Sequence, residues 1–511
     1  MKLDLKERSE NYYILLLLFS GIIIYFPSLF ISFFGDEPAF ILRNTVHSFS
    51  EWLGLLDKKD YDGAYYRPVG NLISGTLSLL FGSNEWLYRL FNLIIHSLNG
   101  VMVFKFSSHV ITSDTNKYIV PFGAGLLFIV FPLHDLAVIW HTDLFDRLLL
   151  LFYLSSVIHY LKNKIHASLV FALIAFLTKE MSFSLPIIIA LSAYFCAEKK
   201  PKVILMETAL YFGLLAAVIL FRYIVFDNYL FQSDLTHPDA GLFGIAKNML
   251  FFGGLLLLPF DSYNIKEHFL NNPLIFSMVG VFLVILILFL LYRDRTKLRI
   301  YVFPIIFIIL TLAPASRLLM KWYLYLPSVG FVIFIAMLLG NLKSNRVRFL
   351  GFSVLIVFYS FSLVQTQLNW IEYTSNNDAI IAKFGSSKRT FNELETLYFL
   401  TIPAKISGYP VNHLNPAELL RYKLKITNPI EILSRSAITN WYDKIDCFDI
   451  KNGIRLEHKF PNYFVLYGYE NLLRHSRDDF TDGKLTRIRL TNLPDGVPVF
   501  SYSENKYFRI Q

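Results

Sequence analysis

Cysteine is nearly absent from this chain: 511 residues hold two, Cys196 inside an apolar run and Cys447 in the polar tail. A disulfide between them is implausible on topology, so cysteine usage says nothing about the redox compartment. Charge is scarce as well. Charged residues make up 17% of the chain against 54% hydrophobic and 17% aromatic, and the mean hydropathy is +0.46. A soluble chain of this length carries more charge, so the composition describes a polytopic membrane protein. The net charge of +9 invites a nucleic-acid partner. The basic residues instead cluster in short loops between apolar runs, a pattern that reports membrane orientation. A cleavable leader is not expected, because the first apolar run is about twenty residues long and lacks a small-residue cleavage site.

What the chain has in abundance is long apolar runs. Reading them against the basic loops predicts spans near 12 to 33, 86 to 106, 118 to 135, 144 to 161, 165 to 179, 181 to 197, 203 to 226, 273 to 292, 300 to 315, 322 to 340 and 347 to 366, about eleven helices in all. The loops holding Lys2, Lys6 and Arg8, Lys105 and Lys117, Lys162 and Lys164, Lys199 to Lys202, Arg293 to Arg299, and Lys343 to Arg348 then share one face, which the positive-inside rule makes cytoplasmic. Parity treats the run from Gly241 to Phe260 as interfacial or re-entrant. It places the first loop and everything after Gln367 outside.

The first external loop, Phe34 to Asn71, is the most informative stretch. It sets two adjacent carboxylates, Asp36 and Glu37, at the mouth of a membrane helix, where ionised groups cost free energy. Pro38 suits the first turn of a helix. Ala39, Leu42, Val46, Phe49 and Leu53 follow at helical spacing with Trp52 alongside, which predicts an amphipathic helix in the membrane interface with the acids at its N-terminus. Beyond Arg67, the residues Val69, Leu72, Ile73, Leu77 and Leu80 form one face, and Asn71, Ser74, Gly75 and Ser78 the other. At roughly fifteen residues this second helix is too short to span about 30 Å of hydrocarbon. Acids at one end and a cation at the other suit a phosphate-bearing lipid; an amphipathic loop with solvated charges fits the same residues.

Three further clusters interrupt the apolar runs. PLHDLAVIWHTDLFDR gathers His134, Asp135, His141, Asp143, Asp146 and Arg147; this is a set of residues suited to a divalent metal, or to a water-exposed hydrogen-bonded turn. Lys179 and Glu180 sit between two runs with almost no loop, either as an ion pair between helices or as a grip on phosphate. Arg317 and Lys321 lie on the external side, against the orientation rule, so they face an anion or snorkel. After Gln367 the composition turns polar. Turns at Asn452-Gly453 and Pro494-Asp495-Gly496, with short alternating runs such as YFVLYGY and KLTRIRL, predict a small external domain of mixed or mainly β character over 380–511, beside a membrane domain over 1–379. That tail shows no nucleophile triad, phosphate loop, cysteine metal cluster or internal repeat.

Several blocks, GDEPAFILRN, YYRPVGNLISGTLSLLFGSNEWLYRLFNLIIHSLNG, PLHDLAVIW, TKEMSFSLP, LLLLPFDSY and YLYLPSVGF, stand in an order that resembles the GT-C superfamily of membrane glycosyltransferases using polyprenyl-phosphate sugars, and within it the protein O-mannosyltransferase and TMTC-like branch. The chain departs from that pattern at Leu136, Leu144 and Trp322, and its tail lacks the tetratricopeptide repeats of TMTC proteins. The resemblance implies a GT-C-like fold with interfacial helices in the plasma membrane of a bacterium, a polyprenyl-phosphate-linked sugar donor, with mannose one candidate, and a protein, lipid or glycan acceptor. It implies Asp36 as general base with Glu37 shaping the acceptor site or a metal. It assigns Arg67, Lys179, Arg317 and Lys321 to the phosphate, and His134 and Asp135 to the acceptor. No cofactor is required by it, though a divalent metal ion is compatible. The competing classes are a polysaccharide polymerase or O-antigen ligase, which commonly relies on a large late external loop, and a lipid-linked glycan transporter, which should show inverted repeats or broken helices at mid-bilayer.

Overall fold

The computed structural model describes residues 2–58, 65–111, 118–226, 241–259, 298–317 and 319–385, single positions between 272 and 292, and from 397 onward the strands and helix named below with a few flanking positions. The expected span 273 to 292, the basic loop 293–297 with Lys117, and the turns at Asn452 and Pro494 to Gly496 lie largely or wholly outside the described residues. The chain divides into two compact units: Met1–Leu29 with Asn44–Gln367, and Phe30–Arg43 with Leu368–Gln511.

The first unit is helical. Its elements are α1 (Lys2–Tyr25), the end of α2 (Glu37–Asn44), α3 (Phe49–Gly54), α4 (Pro68–Phe81), α5 (Glu85–Val110), α6 (Ile119–Ile129), α7 (Asp135–Ile139), α8 (Leu144–Leu161), α9 (Ile165–Phe176), α10 (Leu185–Phe195), α11 (Pro201–Phe226), α12 (Leu242–Leu257), α13 (Leu298–Leu312), α14 (Ser328–Gly340) and the first half of α15 (Asn345–Gly385). Among the described residues, helices stand over each of the other ten expected spans. They are not alike: among the described residues five are long and apolar enough to cross a membrane, or six if the bent pair Ile119–Ile129 and Pro132–Ile139 counts as one span. At 12 and 11 residues, α9 and α10 fall short of the about 20 a crossing needs. The fold is that of a polytopic helical membrane protein.

The predicted interfacial helix over 39 to 53 is broken in two. Ser48 accepts a hydrogen bond from the Glu51 N–H at 3.1 Å, and the Glu51 carboxylate accepts from the His47 N–H at 2.8 Å, so a capping box starts α3 afresh. The predicted helix led by Arg67 forms as α4, with Leu77 of its apolar face buried. Asn71, Ser74, Gly75 and Ser78 are buried, while Leu79 and Leu80 are 55% and 69% exposed. Small residues permit close helix contact within a membrane, and the leucines meet lipid at no cost. Gly75 illustrates the fit, since a Cβ there would lie 2.4 Å from a Leu55 methyl and 3.3 Å from the Asn44 carbonyl oxygen.

Between α5 and α6 the approach is closer still. A Cβ on Gly125 would lie 2.8 Å from the Gly100 carbonyl oxygen and 3.1 Å from Phe104 Cβ, atoms that cannot move aside cheaply. Gly125→Val is therefore expected to lower stability by about 1 to 3 kcal/mol, the usual cost of overpacking. A thermal melt of the detergent-purified protein checks this.

The stretch between α6 and α8 is buried rather than exposed to water, contrary to one expectation for it. Arg147 causes this: its guanidinium gathers the carbonyls of Ala137, Trp140 (3.2 Å) and Val138 (3.4 Å) and the side chain of Asn92 (2.7 Å). Backbone groups that would otherwise need water thus find donors inside the fold.

The second unit holds Phe30–Arg43, the end of α15, α16 (Pro416–Leu424) and two sheets. Strands β1 (Leu397–Ile406), β2 (Ile430–Ile432), β3 (Ser434–Ile438), β4 (Ile445–Ile450), β5 (Gly453–His458), β6 (Tyr463–Leu466), β7 (Leu473–Arg474), β8 (Phe480–Thr481), β9 (Lys484–Leu485), β10 (Arg487–Thr491), β11 (Val499–Ser503) and β12 (Lys506–Arg509) form an eight-stranded mixed sheet, β12-β11-β1-β3-β6-β9-β8 with β2 also on β1, and a four-stranded antiparallel sheet, β4-β5-β10-β7. Ile380, Ile381 and Phe384 of α15 pack on Leu397, Phe399, Ile402 and Tyr507. This compact unit holds both strands and helix, and it takes in the segment carrying Asp36 and Glu37.

Candidate functional site

The helical unit contains a cluster of buried charges built around the start of α4. Arg67 is the residue before its first turn, followed by Pro68. Its neighbour Val69 donates its N–H to the Leu177 carbonyl at 3.3 Å, which ties α4 to the end of α9. Past α9 the chain extends at Lys179 (φ −161°, ψ 146°) before a short 3-10 turn, Glu180–Ser184. In extended backbone successive side chains point opposite ways. Lys179 and Glu180 accordingly do not pair across helices as one unit but reach two different partners.

Glu180 takes two arginines. Its Oε2 accepts from Arg67 Nε at 3.0 Å and Nη2 at 2.7 Å, and its Oε1 from Arg222 Nη2 at 3.1 Å. The guanidinium of Arg67 lies 4.2 Å from the Tyr65 ring centroid and 5.3 Å from that of Phe145, a cation–π setting. Burial raises the pKa of the Glu180 carboxyl, but Arg67 and Arg222 more than reverse this and bring it down to about 2. Burial likewise lowers that of Arg67, and the Glu180 carboxylate outweighs it and raises it. Because the folded carboxyl titrates below its ordinary value, the stabilisation from this bridge is fully present above that value and fades only as pH falls toward 2. The bridge is therefore ionised at every pH at which the protein would be assayed.

Lys179 turns the other way, onto the Asp146 carboxylate, with Asp143 Oδ1 at 3.9 Å and the Tyr323 ring centroid at 5.1 Å. Lys321 pairs with Asp135, Nζ lying 2.8 Å from Oδ1 and 2.9 Å from Oδ2. Asp135 is fully buried, so Lys321→Met removes a counter-charge from a buried carboxylate and should cost about 3 kcal/mol. The double variant Lys321→Met with Asp135→Leu is expected to recover much of the loss. Unfolding midpoints of the two singles and the double measure this.

Other residues singled out by sequence go elsewhere. His134 is buried with both ring nitrogens engaged, Nδ1 at 2.9 Å from the Phe128 carbonyl oxygen and Nε2 at 2.8 Å from Ser328 Oγ, so it holds α14 against the α6–α7 bend. His141 Nδ1 meets Asn92 Oδ1 at 3.1 Å. These histidines and the aspartates beside them do not converge as metal ligands, and among the described residues no group of three or more His, Cys, Asp or Glu is placed to hold a metal ion. Arg317 is exposed, and its carbonyl accepts from Asn248 at 3.1 Å.

Asp36 and Glu37 belong to the second unit. Gly35 takes a left-handed φ of +59°, and its N–H donates to the Val411 carbonyl at 3.0 Å. Phe34 stacks on Trp370 with centroids 4.3 Å apart. The Glu37 carboxylate folds back to accept from the Phe34 N–H at 2.9 Å, closing the turn, while the Asp36 carbonyl accepts from Phe40 N to start α2. Asp36 itself is 1% exposed.

Sequence reasoning missed Arg222. The signal was present: a cation inside the apolar run 203 to 226 needs a counter-charge. Tyr65 and Tyr323 carried no comparable signal. No protein-family model and no curated protein matches this sequence. Among solved structures the chain is similar to a crystal structure of ArnT from Cupriavidus metallidurans in the apo state, with 13% identity over 83% of this chain and 86% of that chain and a TM-score of 0.49.

Proposed function

We propose that this protein is a membrane glycosyltransferase of the plasma membrane, moving a sugar, with mannose one candidate, from a polyprenyl-phosphate donor to an acceptor hydroxyl on the extracytoplasmic side, where the C-terminal unit also lies. The observation that carries the reading is the buried cation cluster Arg67, Arg222 and Lys179, gathered at the start of a short helix that turns leucines outward. Cations held at that depth suit an anion that arrives with a lipid tail. The order of GT-C-like sequence blocks supports the same reading.

In the proposed step the acceptor oxygen attacks the anomeric carbon, its proton passes to Asp36, and the bond from that carbon to the phosphate oxygen breaks. Polyprenyl phosphate leaves with the electron pair, and the anomeric centre inverts. Asp36 takes the role of base by its place in the family-like acidic motif. Glu37 positions it, since its carboxylate is spent closing the turn. Arg67 and Lys179 stabilise the departing phosphate; Lys321, Arg317, His134 and Asp135 support the acceptor side or the fold around it. Mass spectrometry of glycoproteins and glycolipids with and without the gene tests the proposal. A hexose-bearing species lost with the gene is expected, and identical glycan profiles would contradict it.

A further inference from the structure

Among the described residues, two arginines face the one Glu180 carboxylate, which leaves a surplus of one positive charge there. Arg222 is only 4% exposed, and its Nε–H finds no acceptor among the described residues. An unmet donor on a buried cation is costly. The Arg67 guanidinium lies close to the Tyr65 and Phe145 rings, and its Nε and Nη2 donors rest on Glu180. The contacts Glu180 receives, an Nε and Nη2 pair from one guanidinium and an Nη2 from another, are of the kind a phosphate group receives from paired arginines. Its side chain keeps 16% of its exposure, so the bridge is open on one side. Asp143 and Asp146 are turned to Lys179.

We propose that Glu180 is a built-in counter-anion whose place on Arg67 and Arg222 is taken by the phosphodiester of the donor. A phosphodiester carries one negative charge, which balances the surplus, and its oxygens supply acceptors for the unmet Arg222 donor. After transfer the product is a phosphate monoester with more negative charge at neutral pH. The displaced carboxylate then competes for the same guanidinium edges and drives the product off. Glu180 is thus a positioning residue that sets donor affinity and product release. This rests on the reading of the protein as a polyprenyl-phosphate-sugar enzyme.

The test uses the full chain in lipid nanodiscs and a short-chain polyprenyl phosphate as probe. Glu180→Gln is expected to bind the probe about tenfold more tightly, a free-energy difference of about 1.4 kcal/mol. Its donor KM and kcat should both fall, because release slows. Glu180→Asp, which keeps the charge but withdraws it by one methylene, should fall between, and Arg222→Gln should weaken binding. Unchanged or weaker binding in Glu180→Gln, with turnover retained in the unmodified protein, overturns the inference alone and leaves a purely structural bridge. Absence of any probe binding by the unmodified protein overturns it together with the functional reading. Should Glu180→Gln not fold, Glu180→Asp decides: tighter binding supports the inference, and affinity equal to that of the unmodified protein overturns it.

Discussion

Asp36→Asn is expected to lower turnover by about a hundredfold or more while donor binding stays near its original value, because a positioned general base contributes about 10² to 10⁴ in rate. The turn that presents Asp36 is held by the left-handed Gly35, the Glu37 carboxylate on the Phe34 N–H, and the Asp36 carbonyl at the start of α2. Asparagine preserves the shape and removes the proton acceptor. Single-turnover kinetics with saturating donor separates the chemical step from binding. Full turnover in the variant would remove Asp36 as the base.

Arg67→Ala should have the second largest effect, on stability and donor affinity together. It deletes two of the hydrogen bonds to Glu180 in a bridge whose partners are 13% and 16% exposed, and breaking such a pair from one side costs about 3 kcal/mol. Donor KM should rise by about tenfold or more, as expected when a charged contact to phosphate is lost. Pairing Arg67→Ala with Glu180→Ala should recover part of the stability, while donor affinity stays well below that of Glu180→Ala alone, because only Arg222 is left to meet the phosphate. That split, measured by unfolding midpoints and KM in the four proteins of a double-mutant cycle, distinguishes a phosphate contact from a merely structural one.

Hydrophobicity made most helices legible because length and apolar runs are local properties. The run 144 to 161 coincides with α8, and Arg67 does stand at the head of α4. What is not local was read less well. Which residues of α4 enter the protein, Asn71, Ser74, Gly75 and Ser78 with Leu77, is set by its neighbours, and small residues there allow close helix contact. The capping box Ser48-Phe49-Ser50-Glu51 was written in the sequence and divides what periodicity alone joined. The site shows the same limit. Lys179 and Glu180 stood out as charges between apolar runs, but their partners, Asp146 33 residues away and Arg67 113 residues away, are set by tertiary packing. The extended backbone at Lys179, which sends the two side chains apart, has no signature in composition. Arg222 was detectable as an isolated cation in an apolar run, yet nothing local pointed it at Glu180.

The most direct measurement is to supply purified protein with polyprenyl-phosphate-linked sugars and acceptor, follow the lipid carrier, and assign the product's anomeric configuration by NMR. The account predicts that polyprenyl phosphate is released in step with a glycoside of inverted configuration. A sugar that stays on its carrier throughout, or a product of retained configuration, would contradict it.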